Sequence, residues 1–167
     1  MMTPLVEYHG GGPAATLEPL KDHLAAYGAH LVQNFGSGVQ SCYRGPRLFD
    51  AEETKLLVKN TVTWYKKYRA ILDSDIIHVR RPDGQDIDCM MHVNPAFKQR
   101  GLAMVYNPLA EPVQRTLRLP LYFTGLSDTA QIREQEGQPK TFKLDRGFNV
   151  SVPVTIPANS YTWLVIE

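Results

Sequence analysis

Two short stretches hold the groups that could meet a ligand. VQSCYRGPRLFDAEETK, residues 39–55, runs from apolar Val39–Cys42 into Tyr43, Arg44 and Arg47, and TPLVEYHGGG, residues 3–12, runs from Leu5 and Val6 into Glu7, Tyr8 and His9. Arginine offers N–H donors in a fixed fork to a carboxylate or to several hydroxyls, Glu7 accepts, and an aromatic ring packs on the apolar face of a pyranose. Glu7, His9, Tyr43, Arg44 and Arg47 are thus candidate substrate-binding residues. The same groups also have a structural reading, in which Arg44 and Arg47 pair with Asp50 or Glu53 and tie their loop to the next element, leaving Tyr43 as packing. No pair of residues stands out as catalytic.

The elements that must position these loops follow from local chemistry. Gly45-Pro46 cannot continue a strand ladder, and Asp50 with Glu53 three residues on fits a capping pair, so a helix starts near Asp50. Leu57, Thr61, Trp64, Tyr68 and Ile71 recur at helical spacing, and Val58, Val62, Tyr65 and Leu72 widen the stripe. Upstream, Leu17, Leu20, Leu24, Tyr27 and Leu31 form a second such pattern, with Thr16 as its N-cap and Gly36 as its stop. Pro19 is tolerable in the first turn. Residues 1–74 therefore read as strand, helix, strand, helix: an α/β segment of two βα units with parallel strands. A right-handed crossover then puts the loops after both strands on one edge.

Beyond Ser74 short apolar runs recur every roughly 8–12 residues, the spacing of an antiparallel sandwich. They are Ile76–Arg80, Ile87–Val93, Leu102–Tyr106, Val113–Tyr122, Ala130–Arg133, Phe142–Leu144, Phe148–Ile156 and Tyr161–Ile166. Pro82-Asp83-Gly84 makes a turn, Asn94-Pro95 and Asn107-Pro108 end strands, and Pro157-Ala158-Asn159 leads into the last one. Val150, Val152, Val154 and Ile156 share one face by alternation, and the final strand is apolar on both. Residues 75–167 form an all-β antiparallel sandwich domain.

Composition narrows the function classes. The chain has 167 residues, 43% of them hydrophobic, and a net charge of +1, so no basic excess points to nucleic acid. No apolar run approaches the ~18 residues a membrane span needs, and no signal peptide is visible. No cofactor motif is present: Gly10-Gly11-Gly12 matches neither dinucleotide nor P-loop spacing. Asp83, Asp86 and Asp88 fall in a turn with Gly84 misplaced for a calcium loop, and His9, His23, His30, His78 and His92 lack zinc spacing, so no metal is expected. Cys42 and Cys89 read as separate buried thiols.

Two parallel strands and two helices cannot build the covered sheet such strands require, so the first segment reads as a barrel remnant. The strings CYRGPRLFD, WYKKYRAIL, IIHVRRPDG, LAMVYNPL, LPLYFTGL and IPANSYTWLVIE, in that order, resemble the C-terminal portion of α-galactosidase-like glycoside hydrolases. The resemblance implies the end of a (β/α)₈ barrel followed by an antiparallel β domain. It implies carbohydrate as the ligand, and a missing N-terminal barrel portion, or self-association through open strand edges, as the partner. It also implies that the loops holding Glu7, His9, Tyr43, Arg44 and Arg47 converge on the barrel mouth. The family's two catalytic carboxylates have no matching positions here, so the isolated chain is expected to be inactive. Two alternatives remain open: a stand-alone carbohydrate-binding module, which predicts exposed and roughly coplanar aromatics such as Tyr106, Tyr122 or Phe123, and a structural or interaction domain with no ligand.

Overall fold

A computed structural model describes residues 17–39 and 47–167. The chain divides into two compact units, Met1–Leu72 and Asp73–Glu167. The strands expected ahead of the two helices, and Thr16, lie outside the described residues, apart from Val39, whose N–H donates to Asn34 O (3.1 Å).

In the first unit a 3-10 turn, Leu20–His23, leads into α1, Leu24–Gly36, and α2 follows over Glu52–Leu72. Leu20, Tyr27 and Leu31 are buried at the spacing the sequence showed, with Leu17, Phe35, Leu57 and Val58 packed around them. The helices pack tightly at Gly28, where an added Cβ would sit 3.3 Å from Leu57 Cδ1. Phe35 stacks on Tyr65 with ring centroids 4.6 Å apart. Along α2 the buried side chains are Thr54, Thr61, Tyr68, Ile71 and Leu72, one stripe of an otherwise charged helix. Gly36 is the last helical residue, but the left-handed position falls at Gly38 (φ 69°), whose N–H donates to Phe35 O (3.0 Å).

The start of α2 corrects the expected capping pair. Thr54, not Glu53, closes it: the buried Thr54 Oγ1 accepts the N–H groups of Asp50 and Ala51, each at 3.0 Å. Glu53 is exposed, whereas a threonine facing inward at that turn reaches the same orphan donors from the buried side.

The second unit holds eight strands: β1 Asp75–Arg80, β2 Asp88–Val93, β3 Gly101–Asn107, β4 Val113–Pro120, β5 Thr129–Glu134, β6 Lys140–Lys143, β7 Asn149–Ile156 and β8 Ser160–Ile166. Six form one sheet in the order β1-β2-β3-β8-β5-β6, and β4-β7 form a second. Every pairing is antiparallel. Alternation sets the core: Cys89, Met91, Ala103, Val105, Leu164 and Ile166 from the large sheet meet Leu117, Leu119, Val150, Val152, Val154 and Ile156 from the small one. The opposite side of the large sheet is apolar as well, and Leu102, Met104 and Val165 on it are buried. The run expected to reach Tyr122 leaves the strand at Pro120 and closes as a 3-10 turn, Tyr122–Thr124, ended by Gly125 at φ 72°. Pro120 is the last paired residue, opposite Asn149, and one further backbone bond, Leu121 N–H to Phe148 O (2.8 Å), follows it. At the β1–β2 turn Asp83 Oδ1 accepts the N–H groups of Gln85 (2.9 Å) and Asp86 (3.3 Å), with Gly84 at φ 69°.

Candidate functional site

Of the five candidate binding residues, Glu7, His9, Tyr43 and Arg44 lie outside the described residues. Arg47 is described, and it corrects the structural reading as well as informing the binding one. Its partner is Glu18, ahead of α1, with Nε 3.4 Å from Glu18 Oε1, at ion-pair distance but without hydrogen-bond alignment. Asp50 is taken up otherwise: its Oδ2 accepts Lys21 N–H at 3.3 Å and its Oδ1 lies 3.1 Å from the Thr54 hydroxyl. Burial of the Asp50 carboxyl works against its ionisation, but these hydrogen bonds outweigh it and hold it below the usual carboxylate range. Tyr27 Oη adds a third tie, donating to Leu48 O at 2.9 Å. The segment 47–54 is therefore fastened to the turn before α1 and to α1 itself, and the Arg47–Glu18 contact spans 29 residues, beyond the reach of any local pattern.

The Arg47 side chain is more than half exposed while Glu18 is largely buried, so solvent screens the pair from the arginine side. Arg47→Ala is expected to cost about 1 kcal/mol, the upper end for exposed ion pairs, because it leaves the largely buried Glu18 carboxylate without its charge partner, as read from urea denaturation. A loss of several kcal/mol would mean that Arg47 is spent on holding the fold and is not available to a ligand.

In the second unit the acidic turn forms an ion network. Arg80 Nη2 lies 2.9 Å from Asp83 Oδ2, and Arg115 Nε lies 3.0 Å from Asp86 Oδ1. Asp88, half-buried, is held above the carboxylate range by burial and then by the charge of Asp83. Burial pushes the Cys89 thiol up to about 12, so it stays protonated at neutral pH and is unsuited to nucleophilic attack; Cys42 lies outside the described residues. A cleft of about 630 Å³ lies between the β5–β6 end of the large sheet and β7, lined by Ile132, Phe142, Leu164, Val152 and by Glu134 and Lys140. These groups offer an apolar bed and scattered polar atoms without a converging acid and base.

The aromatic test divides. Tyr122 and Phe123 are exposed and Tyr106 is half-buried, but the rings of Tyr122 and Phe123 meet at 87°, so they form a corner and not a coplanar platform.

No family model and no curated protein matches the sequence. Solved structures do. A Bacillus halodurans protein provisionally assigned as an α-N-acetylgalactosaminidase aligns over 84% of this chain at TM-score 0.56 and 14% identity. α-Galactosidase I from Mortierella vinacea aligns over 92% at TM-score 0.56 and 10% identity. The fold is α-galactosidase-like. The likeness read from short strings is thus matched in three dimensions, at identities that speak for the fold alone. This α-galactosidase-like chain spans only about a third of those proteins, 31% of the first and 38% of the second.

Proposed function

We propose that this chain is the distal part of an α-galactosidase-like glycoside hydrolase. In this reading residues 1–74 supply the last two βα units of a (β/α)₈ barrel, with their two strands parallel, and residues 75–167 supply the accessory antiparallel sandwich. The carrying observation is the alignment itself: likeness runs through 84–92% of this chain yet takes up only 31–38% of each matched protein. The catalytic carboxylates would belong to the remainder of the barrel, which is also the proposed partner; without it the strand edges are open to self-association. Carbohydrate is the proposed ligand, held at the barrel mouth by Glu7, His9, Tyr43, Arg44 and Arg47. Exposure of Arg47 is compatible with that role, since an arginine kept at the surface by one screened pair keeps donors to spare.

The 167-residue chain by itself is expected to show no turnover of an aryl α-galactoside, because positioning groups cannot replace a nucleophile and an acid set about 5–9 Å apart. Fusion to the preceding barrel portion of an α-galactosidase-like enzyme should restore turnover. Hydrolysis by the chain alone that disappears in Glu7→Gln would instead make Glu7 catalytic and overturn the reading.

A further inference from the structure

Four strands of the second unit are edges: β1 and β6 in the large sheet, and both β4 and β7 in the small one. Three of them carry features that hinder pairing with another chain. β1 is interrupted by a bulge between His78 and Arg80. The bond from Leu121 N–H to Phe148 O (2.8 Å) continues the β4–β7 register, so bonded pairs run through Leu119–Val150 and Leu117–Val152. Pro153 falls between such pairs, turned outward on β7 with no N–H to give. By the same alternation Gln114 faces outward on β4, and its carbonyl is taken by Arg115 Nη1 (2.8 Å).

β6 differs. Leu144 N–H donates to Asp128 O (2.8 Å), one step beyond the β5–β6 register, so Ala130–Phe142 and Ile132–Lys140 are bonded pairs, and Thr129–Lys143 and Gln131–Thr141 lie between them. The far side of β5 agrees, since Gln131 exchanges both backbone bonds with Glu167 at 2.8 Å. The N–H and C=O groups of Thr141 and Lys143 therefore point away from β5, and no backbone bond among the described residues takes them.

That open edge borders the cleft. Lys140 and Phe142 line it beside Ile132 and Leu164, with Val152 and Pro153 of β7 across from them. A strand laid along β6 would meet the outward groups of Thr141 and Lys143 with its backbone and turn every second side chain towards apolar space. Charge narrows its chemistry further. The acids of the β5–β6 turn are occupied, Glu134 Oε1 by the Thr162 hydroxyl (2.7 Å) and Glu136 by Arg133 Nη1 (3.4 Å). Lys140 and Lys143 are exposed, on opposite faces of β6, and make no ion pair among the described residues. Edge lysines disfavour apolar and basic strands, and an acidic strand gains from both.

We propose that the open edge of β6 and the adjoining cleft dock an extended acidic segment of a partner protein, which adds to the large sheet as a further strand with apolar residues alternating inward. The inference draws nothing from the hydrolase reading.

The test uses the full chain and a fluorescein-labelled peptide of alternating valine and glutamate, with a valine–lysine peptide as its opposite. Fluorescence anisotropy should show saturable binding of the glutamate peptide and at least about tenfold weaker binding of the lysine one. Hydrogen exchange at the Thr141 and Lys143 amides should slow on binding, which side-chain contact alone would not cause. Thr141→Pro deletes an outward N–H and none that β5 uses, so it should weaken the peptide about fivefold, the scale of one hydrogen bond, with the melting temperature little changed. The Lys140→Glu/Lys143→Glu double variant should reverse the preference between the two peptides. Failure of wild type to bind the glutamate peptide overturns the docking edge, as does binding that leaves exchange at Thr141 and Lys143 unchanged, or full affinity in a folded Thr141→Pro variant. Sedimentation velocity covers a second copy as occupant: self-association that Thr141→Pro abolishes and the peptide cannot displace counts against a partner strand.

Discussion

Asn107→Ala is expected to destabilise the β unit by about 3 kcal/mol, the sum of lost hydrogen bonds and newly unsatisfied buried groups. Asn107 closes β3, is 2% exposed, and uses all of its amide. Its Nδ2 donates to Glu111 O and Pro157 O, both at 2.8 Å, with Ile156 O further off at 3.3 Å, and its Oδ1 accepts Leu109 N–H at 3.1 Å. One side chain thus fastens the end of β3, the loop into β4 and the turn between β7 and β8, segments about 50 residues apart in sequence. Alanine leaves two carbonyls and an N–H without it, and a shift in melting temperature of more than ~10 °C should follow for a unit of this size.

Asn107→Asp should be worse at neutral pH, since carboxylate lone pairs would face the carbonyls that the amide now serves. Its folded-state pKa would therefore lie above the unfolded value near ~3.9, so the added penalty is absent below that value and grows as pH rises towards the folded one. Urea midpoints at pH 7 and pH 4.5 check both statements: the gap between the Asp and Ala variants should narrow at the lower pH. If Asn107→Ala melts within ~2 °C of wild type, water serves those carbonyls and the clasp is dispensable.

What the sequence revealed and what it hid sort by the range of the interactions. Strand positions in the second unit were legible because alternation and turn residues act over a few neighbours: Val150, Val152, Val154 and Ile156 face the core as their period required. Strand order was not, since nothing local places β8 between β3 and β5. Asn107 looked like a strand terminator before proline, and its clasp on Pro157 depends on a fold that composition does not show. Phe148 read as the first residue of a strand, yet its left-handed backbone is set by Asp145 and Leu121, and no local rule puts a phenylalanine there. At the first site, the near neighbours Asp50 and Glu53 are the partners local spacing offers Arg47, whereas its ion pair is with Glu18, 29 residues earlier. Short-range grammar yields elements; partners that decide a site come from contacts tens of residues away.

Thr54→Val is expected to cost the helical unit about 2 kcal/mol, although the two side chains have the same shape, because two backbone donors lose their acceptor. Thr54 is fully buried, and its hydroxyl accepts both Asp50 N–H and Ala51 N–H while giving its own proton to Ala51 O (2.9 Å) or Asp50 Oδ1 (3.1 Å). Valine keeps the packing and removes every one of these bonds, so the loss reports hydrogen bonding and not a cavity. Thr54→Ser keeps the hydroxyl and should recover most of the stability, less about 0.8 kcal/mol for the buried methyl. Glu53→Gln supplies the contrast. Glu53 is exposed and takes no part in the start of α2, so its change should stay within ~0.5 kcal/mol, the range of surface substitutions away from such features. Urea denaturation of the full chain followed by helical circular dichroism reads all three variants on one scale. The reverse order, with Glu53→Gln costing more than Thr54→Val, would return the cap to the Asp50–Glu53 pair that the sequence spacing suggests. The expected order instead ties the loop after Arg47 to the buried side of α2, where Asp50 also receives Lys21 N–H, and leaves the Arg47 side of that loop facing solvent.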